Sequence, residues 1–485
     1  MNKCYDSLCS ITNNPCIQFL SRIAPQFISK PVFWDISHDR HIYYSSFIND
    51  IEKRIDILRE FGVVGEKIAL VTENSYEWIA WCFAAQSLNN SLVLVPSSFT
   101  RQRDMRHLIE WKCKFFLISS GHQLLQNLPL ELLYNDSTFT LCRYETACEA
   151  IRYEPQSICF FTSGSTGEPK MVSHENDATF IMAERTAKAL KGSELGGRTL
   201  LLLPLYHIYA YVNILLTGLV MGIEIAIGYG LRTMLNDLRI TQPSCLFCVP
   251  SLLYAIYNQA KGNSTEGSGF CTEMRILLGG NVKVLLCGGG ELDTDIASDF
   301  LQAGYSLING YGTTETCGCV ALAFNSLAAT GAFHLFLEGV DISIGKDKCI
   351  VIASRGNMTH YIGEDNLPTD DVGRRQFVTQ DYGVISNGAL ILKGRSDQVL
   401  ALPNGEKAFT GDIKAILMQL SSVCDVRVFS DKNGLGVKIY VADKNSCDMS
   451  EIKSQILKVN RLLPSYMRVA NYSVIEKIEW GNNQQ

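Results

Sequence analysis

The chain lacks the charge excess that would hold a polyanion over a broad surface. Lys and Arg number 43 against 49 Asp and Glu, giving a formal net charge of -6 over 485 residues, and no long basic block interrupts the sequence. An extended nucleic-acid footprint is excluded, so any phosphate recognition has to be local. Metal-ligand patterning is equally thin. Of 17 cysteines, Cys245 and Cys248 form a CxxC and Cys317 and Cys319 a CxC, yet neither has a second pair at zinc-site spacing. No signal peptide is read at the start. Cysteines scattered through so long a chain are expected to be reduced, cytosolic thiols rather than a disulfide framework. One run, LYHIYAYVNILLTGLVMGIEIAIG at 205–228, is long and apolar enough to resemble a membrane span. His207, Asn213 and Glu224 within it, with breaks at Gly218 and Gly222, predict a buried helix followed by a strand instead.

What is present is core-forming sequence. Apolar residues make up 47% of the chain, enough for two to four domains at this length. From 40 to 150, strand-like runs (KIALVT, SLVLVP, KFFLIS) alternate with helical stretches such as EWIAWCFAAQSL, which predicts a parallel sheet covered by helices. The pattern returns in LLLLP, the helix after His207, EIAIG, CLFCVP, a helix beginning near Ser251, VKVLLCGGG and SLING, predicting a second α/β unit. Residues 331–393 change to short strands (DISIG, CIVIAS, ALILKG) separated by turn formers, as in a small β-rich subdomain. After Gly394 the order reads strand, helix, hairpin, helix, strand, with DVRVFS and LGVKIYVA flanking the turn DKNG.

The most specific chemistry lies in FFTSGSTGEPKMVSHEN, residues 160–176, where an apolar strand opens into hydroxyls and glycines. Gly164 and Gly167 let the backbone turn tightly and approach an anion. Thr162, Ser163, Ser165 and Thr166 supply hydroxyl donors, and Lys170 supplies a positive charge. A Ser/Gly cluster by itself is usually a surface turn. It is not a Walker A loop either, because no glycine precedes the lysine.

The ordered string TSGSTGEPK resembles the signature loop of the adenylate-forming superfamily, which contains acyl-CoA synthetases, peptide-synthetase adenylation domains and luciferases. INGYGTTETCG at 308–318 resembles the second signature and TQDYGVISNGALILKGRSDQ at 379–398 the third, in the right order over nearly the whole chain. The resemblance implies an α/β architecture: a large N-terminal domain, residues 1–394, of two α/β subdomains plus a small β-rich one. A small mobile α+β domain, 395–485, would follow, with a hinge near Asp397. It also implies ATP and Mg²⁺ as cofactors, a small carboxylic acid as substrate, and CoA or the phosphopantetheine of a carrier protein acting in trans as the accepting thiol.

Residue by residue, the resemblance places the loop from Thr162 to Gly167 around the β- and γ-phosphates with Lys170 in support. It places Asn309, Tyr311 and Gly312 beside the nucleotide, with Tyr311 against adenine, Thr314 on the α-phosphate and Glu315 on Mg²⁺. Asp381 would accept from the ribose hydroxyls and Arg395 would reach ribose or phosphate. The motif reads TQD where the family has TGD, and Asp371 in TDDVGR is a second candidate, but the spacing from Asp381 to Gly394 and Arg395 fits better. Gly288, Gly289 and Gly290 resemble the wall beside adenine and acyl group, and His207 the histidine that lines the acyl pocket. Amino-acid-activating relatives carry an aspartate soon after that histidine to pair the ammonium. Tyr206 to Asn213 contains no acid, so an aryl or fatty acid is expected.

Two departures stand out. The strand after Lys170 is short before His174. LPSYM at 463–467 resembles the family's closing motif, and in that register Gln484 and Gln485 occupy the positions of its Gly-Lys pair, with Lys477 too early to replace the lysine. The expected activity is an acid–thiol ligase working through an acyl-adenylate. The alternatives are a degenerate nucleotide-binding homologue with a regulatory role and an adenylating enzyme that forms an amide or lactone.

Overall fold

The computed structural model describes residues 14–96, 108, 111–122, 125, 129–144, 156–162, 170–264, 269–395, 399–401, 407–418, 420, 422–431, 434–441, 443, 448–463 and 468–476. The chain divides into two compact units, Met1–Ile342 with Ile352–Phe377, and Ser343–Val351 with Val378–Gln485.

In the first unit the expected strands form where apolar runs were read. An eight-stranded sheet has the spatial order His360–Tyr361, Lys170–Glu175, Ser157–Thr162, Ser91–Val95, Lys67–Val71, Phe115–Ser119, Phe139–Tyr144, Leu130–Asn135. Its centre is parallel, Ser157–Thr162 beside Ser91–Val95 beside Lys67–Val71 beside Phe115–Ser119, and its flanks are antiparallel. Central strands are buried on both faces, which is why they read as unbroken apolar runs. Every residue of the helix Tyr76–Ser87 except Glu77 is buried, Trp78 and Trp81 included. Its start is fixed by Ser75, whose Oγ accepts from the Trp78 amide at 3.0 Å, a cap worth about 1 kcal/mol.

The second α/β run does not make one sheet. Arg198–Leu201 and Glu224–Ile227 join Pro31–Asp35 and Arg40–Tyr43 in a four-stranded sheet, whereas Cys245–Cys248, Val284–Gly288, Ser306–Thr313, Gly318–Phe324 and Leu335–Phe336 form a separate five-stranded one. Buried parallel strands carry no alternation that names their neighbours, so the sequence could show the strands but not the partition. Between them, the apolar run 205–228 is a π-helix, Tyr209–Leu216, continued by an α-helix, Thr217–Met221, and the strand Glu224–Ile227, as expected of a buried helix and strand. Among the described residues no helix is long and apolar enough to cross a membrane.

In the second unit, Val378–Ser386 continues a strand that turns back as Ala389–Arg395. The C-terminal part has the order read from sequence: a ribbon of Val399–Ala401 and Lys407–Phe409, the helix Gly411–Leu417, the hairpin Val423–Asp431 with Gly434–Val441, the helix Met449–Leu462 and the strand Val469–Glu476. It has a core of its own, in which Ile413, Leu417, Ile452 and Val459 of the helices pack with Val437 and Ile439 of the sheet. Full burial of each such side chain contributes roughly 1.5–3 kcal/mol.

Candidate active site

The hydroxyl-rich loop is the connection of a hairpin. Ser157–Thr162 pairs antiparallel with Lys170–Glu175, and the last rung places Thr162 directly opposite Lys170. Phe160 and Phe161 are buried, so the strand Ser157–Thr162 is anchored in the sheet beside Ser91–Val95, with Thr162 at its carboxyl end. Ser163, Gly164, Ser165, Thr166 and Gly167 lie outside the described residues. At the hairpin's mouth, Lys170 Nζ stands 4.6 Å from the ring centroid of Tyr361 and 3.5 Å from Glu364 Oε1.

The second motif forms the turn between Ser306–Thr313 and Gly318–Phe324, which pair antiparallel. Gly312 is required there, because a Cβ at that position would collide with the Gly318 carbonyl. At Gly318, φ is 88° and a Cβ would come 2.6 Å from Asn213 Oδ1. Inside the turn the Thr313 amide donates to Thr316 Oγ1 at 2.8 Å, and the Cys317 amide to Thr314 O at 3.2 Å. Thr313 Oγ1 is buried and, among the described residues, has no hydrogen-bond partner. Leaving such a group unsatisfied costs about 1–3 kcal/mol, and a polar ligand would relieve it. Asn309 and Tyr311 are buried in the same strand, with the Tyr311 ring 5.8 Å from that of Phe333.

A segment unrecognised in the sequence ties these motifs together. His174, four residues beyond Lys170 and fully buried, places Nε2 2.8 Å from Thr314 O and Nδ1 3.2 Å from Gly356 O. The Met358 amide donates to Glu315 O at 2.7 Å, the Thr359 amide to Ser173 O at 2.8 Å, and the Tyr361 hydroxyl to Glu315 Oε1 at 2.8 Å. The strap 356–361 therefore spans the loop's strand and the Glu315 turn. Nothing in its composition marks it, since its partners lie far away in sequence. Thr313 was missed for another reason: in the pair Thr313–Thr314 the family motif names only the second.

Gly288 ends Val284–Gly288, parallel to Cys245–Cys248 and Ser306–Thr313, and pairs with Gly310. The carboxyl ends of parallel strands are where open α/β sheets bind ligands. A Cβ on Gly288 would sit 3.0 Å from the Tyr209 ring, whose hydroxyl donates to Leu286 O at 3.0 Å. Gly289 has φ 76°, and a Cβ on Gly290 would meet Pro250 at 3.4 Å. His207 precedes the π-helix with its ring exposed, 4.6 Å from that of Tyr206, and desolvation by its surroundings lowers its pKa. It makes no hydrogen bond to the other predicted site residues among those described. π-helical turns are frequent at functional sites.

In the second unit Asp381 is buried and faces Arg395 across the ladder, with Arg395 Nη1 3.4 Å from Asp381 Oδ1. The glutamine of TQD has a role here: Gln380 Oε1 accepts from Arg395 Nη2 at 3.0 Å. Asp371, the other candidate, is exposed in a turn of the first unit closed by Asp370 and Arg374. Asp397, residues 402–406, Lys477, Gln484 and Gln485 lie outside the described residues.

No three His, Cys, Asp or Glu side chains among the described residues gather into a metal cage. A single oriented carboxylate, Glu315, suits Mg²⁺, which keeps several waters and is bound through one or two carboxylates plus the phosphates of a nucleotide.

A sequence-family profile described as AMP-binding enzyme matches residues 20–344. The 2-succinylbenzoate–CoA ligase of Bacillus licheniformis is 22% identical over 417 residues, covering 81% of this chain and 82% of its own length. The long-chain-fatty-acid–CoA ligase FadD13 of Mycobacterium tuberculosis is 22% identical over 437 residues, 82% of each. O-succinylbenzoate coenzyme A synthetase of Bacillus subtilis, solved with ATP and magnesium, has the same fold: TM-score 0.74 at 17% identity, over 94% of this chain and 95% of that one. The profile covers more than half of the chain and includes both the hydroxyl-rich loop and the Tyr311 turn, so the chain belongs to the AMP-binding, adenylate-forming enzyme family.

Proposed function

We propose that the chain is an ATP-dependent acid–thiol ligase. A carboxylate oxygen of the acid attacks the α-phosphorus of ATP, the bond to the β-phosphate oxygen breaks, and pyrophosphate leaves. A thiolate, of CoA or of a carrier protein's phosphopantetheine supplied in trans, then attacks the acyl carbonyl and AMP leaves. The observation that carries this reading is the joining of the strand that leaves the hydroxyl-rich segment to the Glu315 turn through Lys170, His174 and the strap 356–361, in which one side chain, Tyr361, touches both the Lys170 ammonium and the Glu315 carboxylate.

The chain's task in the first step is electrostatic, since two anions have to meet. Thr162 and the loop to Gly167, with Lys170, are assigned to the β- and γ-phosphates. Thr314, and beside it the unsatisfied hydroxyl of Thr313, are assigned to the α-phosphate. Tyr311 is assigned to the adenine, with Asn309, Gly312 and the wall Gly288–Gly290 around it, and Asp381 and Arg395 to the ribose. Glu315 would hold Mg²⁺, which when bound neutralises polyphosphate charge. His207 is assigned to the acid's carboxylate end. A hinge near Asp397 is part of the same proposal. The thirteen described cysteines are all free thiols, which suits a cytoplasmic location.

The acid is assigned to the aryl or aliphatic class without an α-ammonium. The π-helix that follows His207, Tyr209–Leu216, contributes no acidic side chain. Burying an ammonium unpaired costs several kcal/mol. Pyrophosphate exchange over matched pairs of amino acids and their deaminated analogues tests this. Exchange with aryl or aliphatic acids is expected. Faster exchange with the amino acids would overturn the substrate class, and nucleotide binding with no exchange for any acid would leave a nucleotide-binding homologue that is not a ligase.

A further inference from the structure

Lys170 and Glu315 carry opposite charges and are assigned, on the reading just given, to the same polyphosphate. Left to themselves at the mouth of one loop they would be drawn into an ion pair, and each would cancel the charge the other offers to the nucleotide. The structure shows a different arrangement. One side chain, Tyr361, touches both. Its ring lies 4.6 Å under the Lys170 ammonium, and its hydroxyl donates to Glu315 Oε1 at 2.8 Å.

Tyr361 reaches this place through the sheet. The two-residue strand His360–Tyr361 adds to the edge of Lys170–Glu175, with Tyr361 opposite Val172 and the Ile362 amide donating to Met171 O at 2.9 Å. Lys170 is two residues from Val172 on the same strand face, the diagonal position from which a long side chain reaches a cross-strand aromatic ring. The Met358 amide on Glu315 O, at 2.7 Å, fixes the turn's backbone from the same strap. The carboxylate and its backbone are thus both held by residues 358–361. Lys170 pairs with Glu364 rather than Glu315, at 3.5 Å with both side chains more than half exposed, a screened contact it can leave for a phosphate.

We propose that Tyr361 is a positioning residue that keeps Lys170 and Glu315 from neutralising one another, seating the ammonium on its ring and the carboxylate on its hydroxyl so that both charges stay available to Mg²⁺-ATP. The hydroxyl occupies one carboxylate oxygen and fixes the rotamer of the other. The ring holds the cation by the attraction of its face, without a counter-charge. Groups that orient a metal-binding side chain in this way are worth roughly 10–100-fold in metal affinity.

The two halves of the proposal separate by substitution. Tyr361→Phe keeps the ring and removes the hydroxyl; Tyr361→Leu removes both seats. Calorimetric ATP titrations are run in EDTA and over a series of Mg²⁺ concentrations. For Tyr361→Phe the Mg²⁺ concentration that gives half the full gain in ATP affinity should rise about tenfold, with affinity in EDTA unchanged. For Tyr361→Leu affinity in EDTA should fall as well. An unchanged Mg²⁺ midpoint in Tyr361→Phe, or equal losses with and without Mg²⁺, overturns the positioning role. Wild-type protein that binds no nucleotide would instead sink the ligase reading. The contact itself is checked without nucleotide by a double-mutant cycle of Tyr361→Phe and Glu315→Gln in urea unfolding. Favourable coupling is expected, and additivity of the two changes overturns the proposal whatever the nucleotide result.

Discussion

His174 Nε2 lies 2.8 Å from the carbonyl oxygen of Thr314, which joins the strand leaving the hydroxyl-rich loop to the turn that carries Glu315. The ring is fully buried, and desolvation pushes its pKa down to about 4. The facing carbonyls of Thr314 and Gly356 and the charge of Glu315 pull the other way, and Arg375 adds to the depression. The unfolded chain therefore takes up a proton near pH 6.5 that the folded chain refuses until about pH 4. Because the unfolded state binds more protons in that window, stability falls as the pH drops through it. The contribution at stake is about 3 kcal/mol on the scale of 1.36 kcal/mol per pKa unit. Urea unfolding of the larger unit should weaken between pH 6.5 and 4. His174→Gln should be less stable at pH 7 but lose less on acidification, and parallel pH profiles for the two proteins would exclude His174 as the source.

The Tyr311 turn offers a test of backbone crowding. Gly310 and Gly312 look equivalent in INGYGTTETCG, but the structure separates them. A methyl on Gly312 would collide with the Gly318 carbonyl, part of the paired backbone, whereas one on Gly310 would come no nearer than 3.5 Å to any neighbour, Cys319 Sγ first, with Leu322 and the Cys287 carbonyl further off, all ordinary contacts. Gly312→Ala should cost roughly 1–3 kcal/mol or more, as overpacking does, and should abolish nucleotide binding by displacing Thr313, Thr314 and Glu315. Gly310→Ala should change stability by less than about 1 kcal/mol, since the contact is ordinary. Thermal unfolding and AMP titration of the two variants side by side decide it, and equal effects would mean that the turn has slack the geometry denies.

These two cases show how far the sequence reaches. The turn between two strands at Tyr311 was legible because INGYGTTETCG is a short string whose glycines and hydroxyls have a local purpose, whereas the pairing of Asp381 with Arg395 across a ladder was not read from the sequence. The strands of the central sheet were legible as apolar runs of strand length. What stayed hidden was contact at long range. Tyr361 meets Lys170 and Glu315 only because a two-residue strand adds to a sheet edge, and two residues carry no periodicity to read. His174 stood in view at the end of a shortened strand, but its partner is a backbone carbonyl, which no side-chain pattern announces. The π-helical turn at Tyr209–Leu216 and the division of the second α/β run into two sheets are likewise set by packing.

The choice between the two aspartates closes on a measurement. Asp381 is 9% exposed and sits across from Arg395, whereas Asp371 is exposed in a turn. A carboxylate that accepts from ribose hydroxyls acts on a part common to ATP and AMP, so its loss should be felt by both nucleotides and should not depend on Mg²⁺. A charge-assisted hydrogen bond is worth about 1.5–3 kcal/mol, or roughly 10–150-fold in affinity. Asp381→Asn should therefore weaken AMP and ATP alike by that order, with and without Mg²⁺, while Asp371→Asn leaves both affinities where they were. Because Asp381 also faces Arg395, unfolding of Asp381→Asn is followed in parallel to separate a lost ligand contact from a damaged ladder. Wild-type stability with weakened binding of both nucleotides supports the ribose role. Loss confined to ATP with Mg²⁺ would move Asp381 to the metal, and an effect of Asp371→Asn equal to that of Asp381→Asn would return the assignment to the earlier TDDVGR motif.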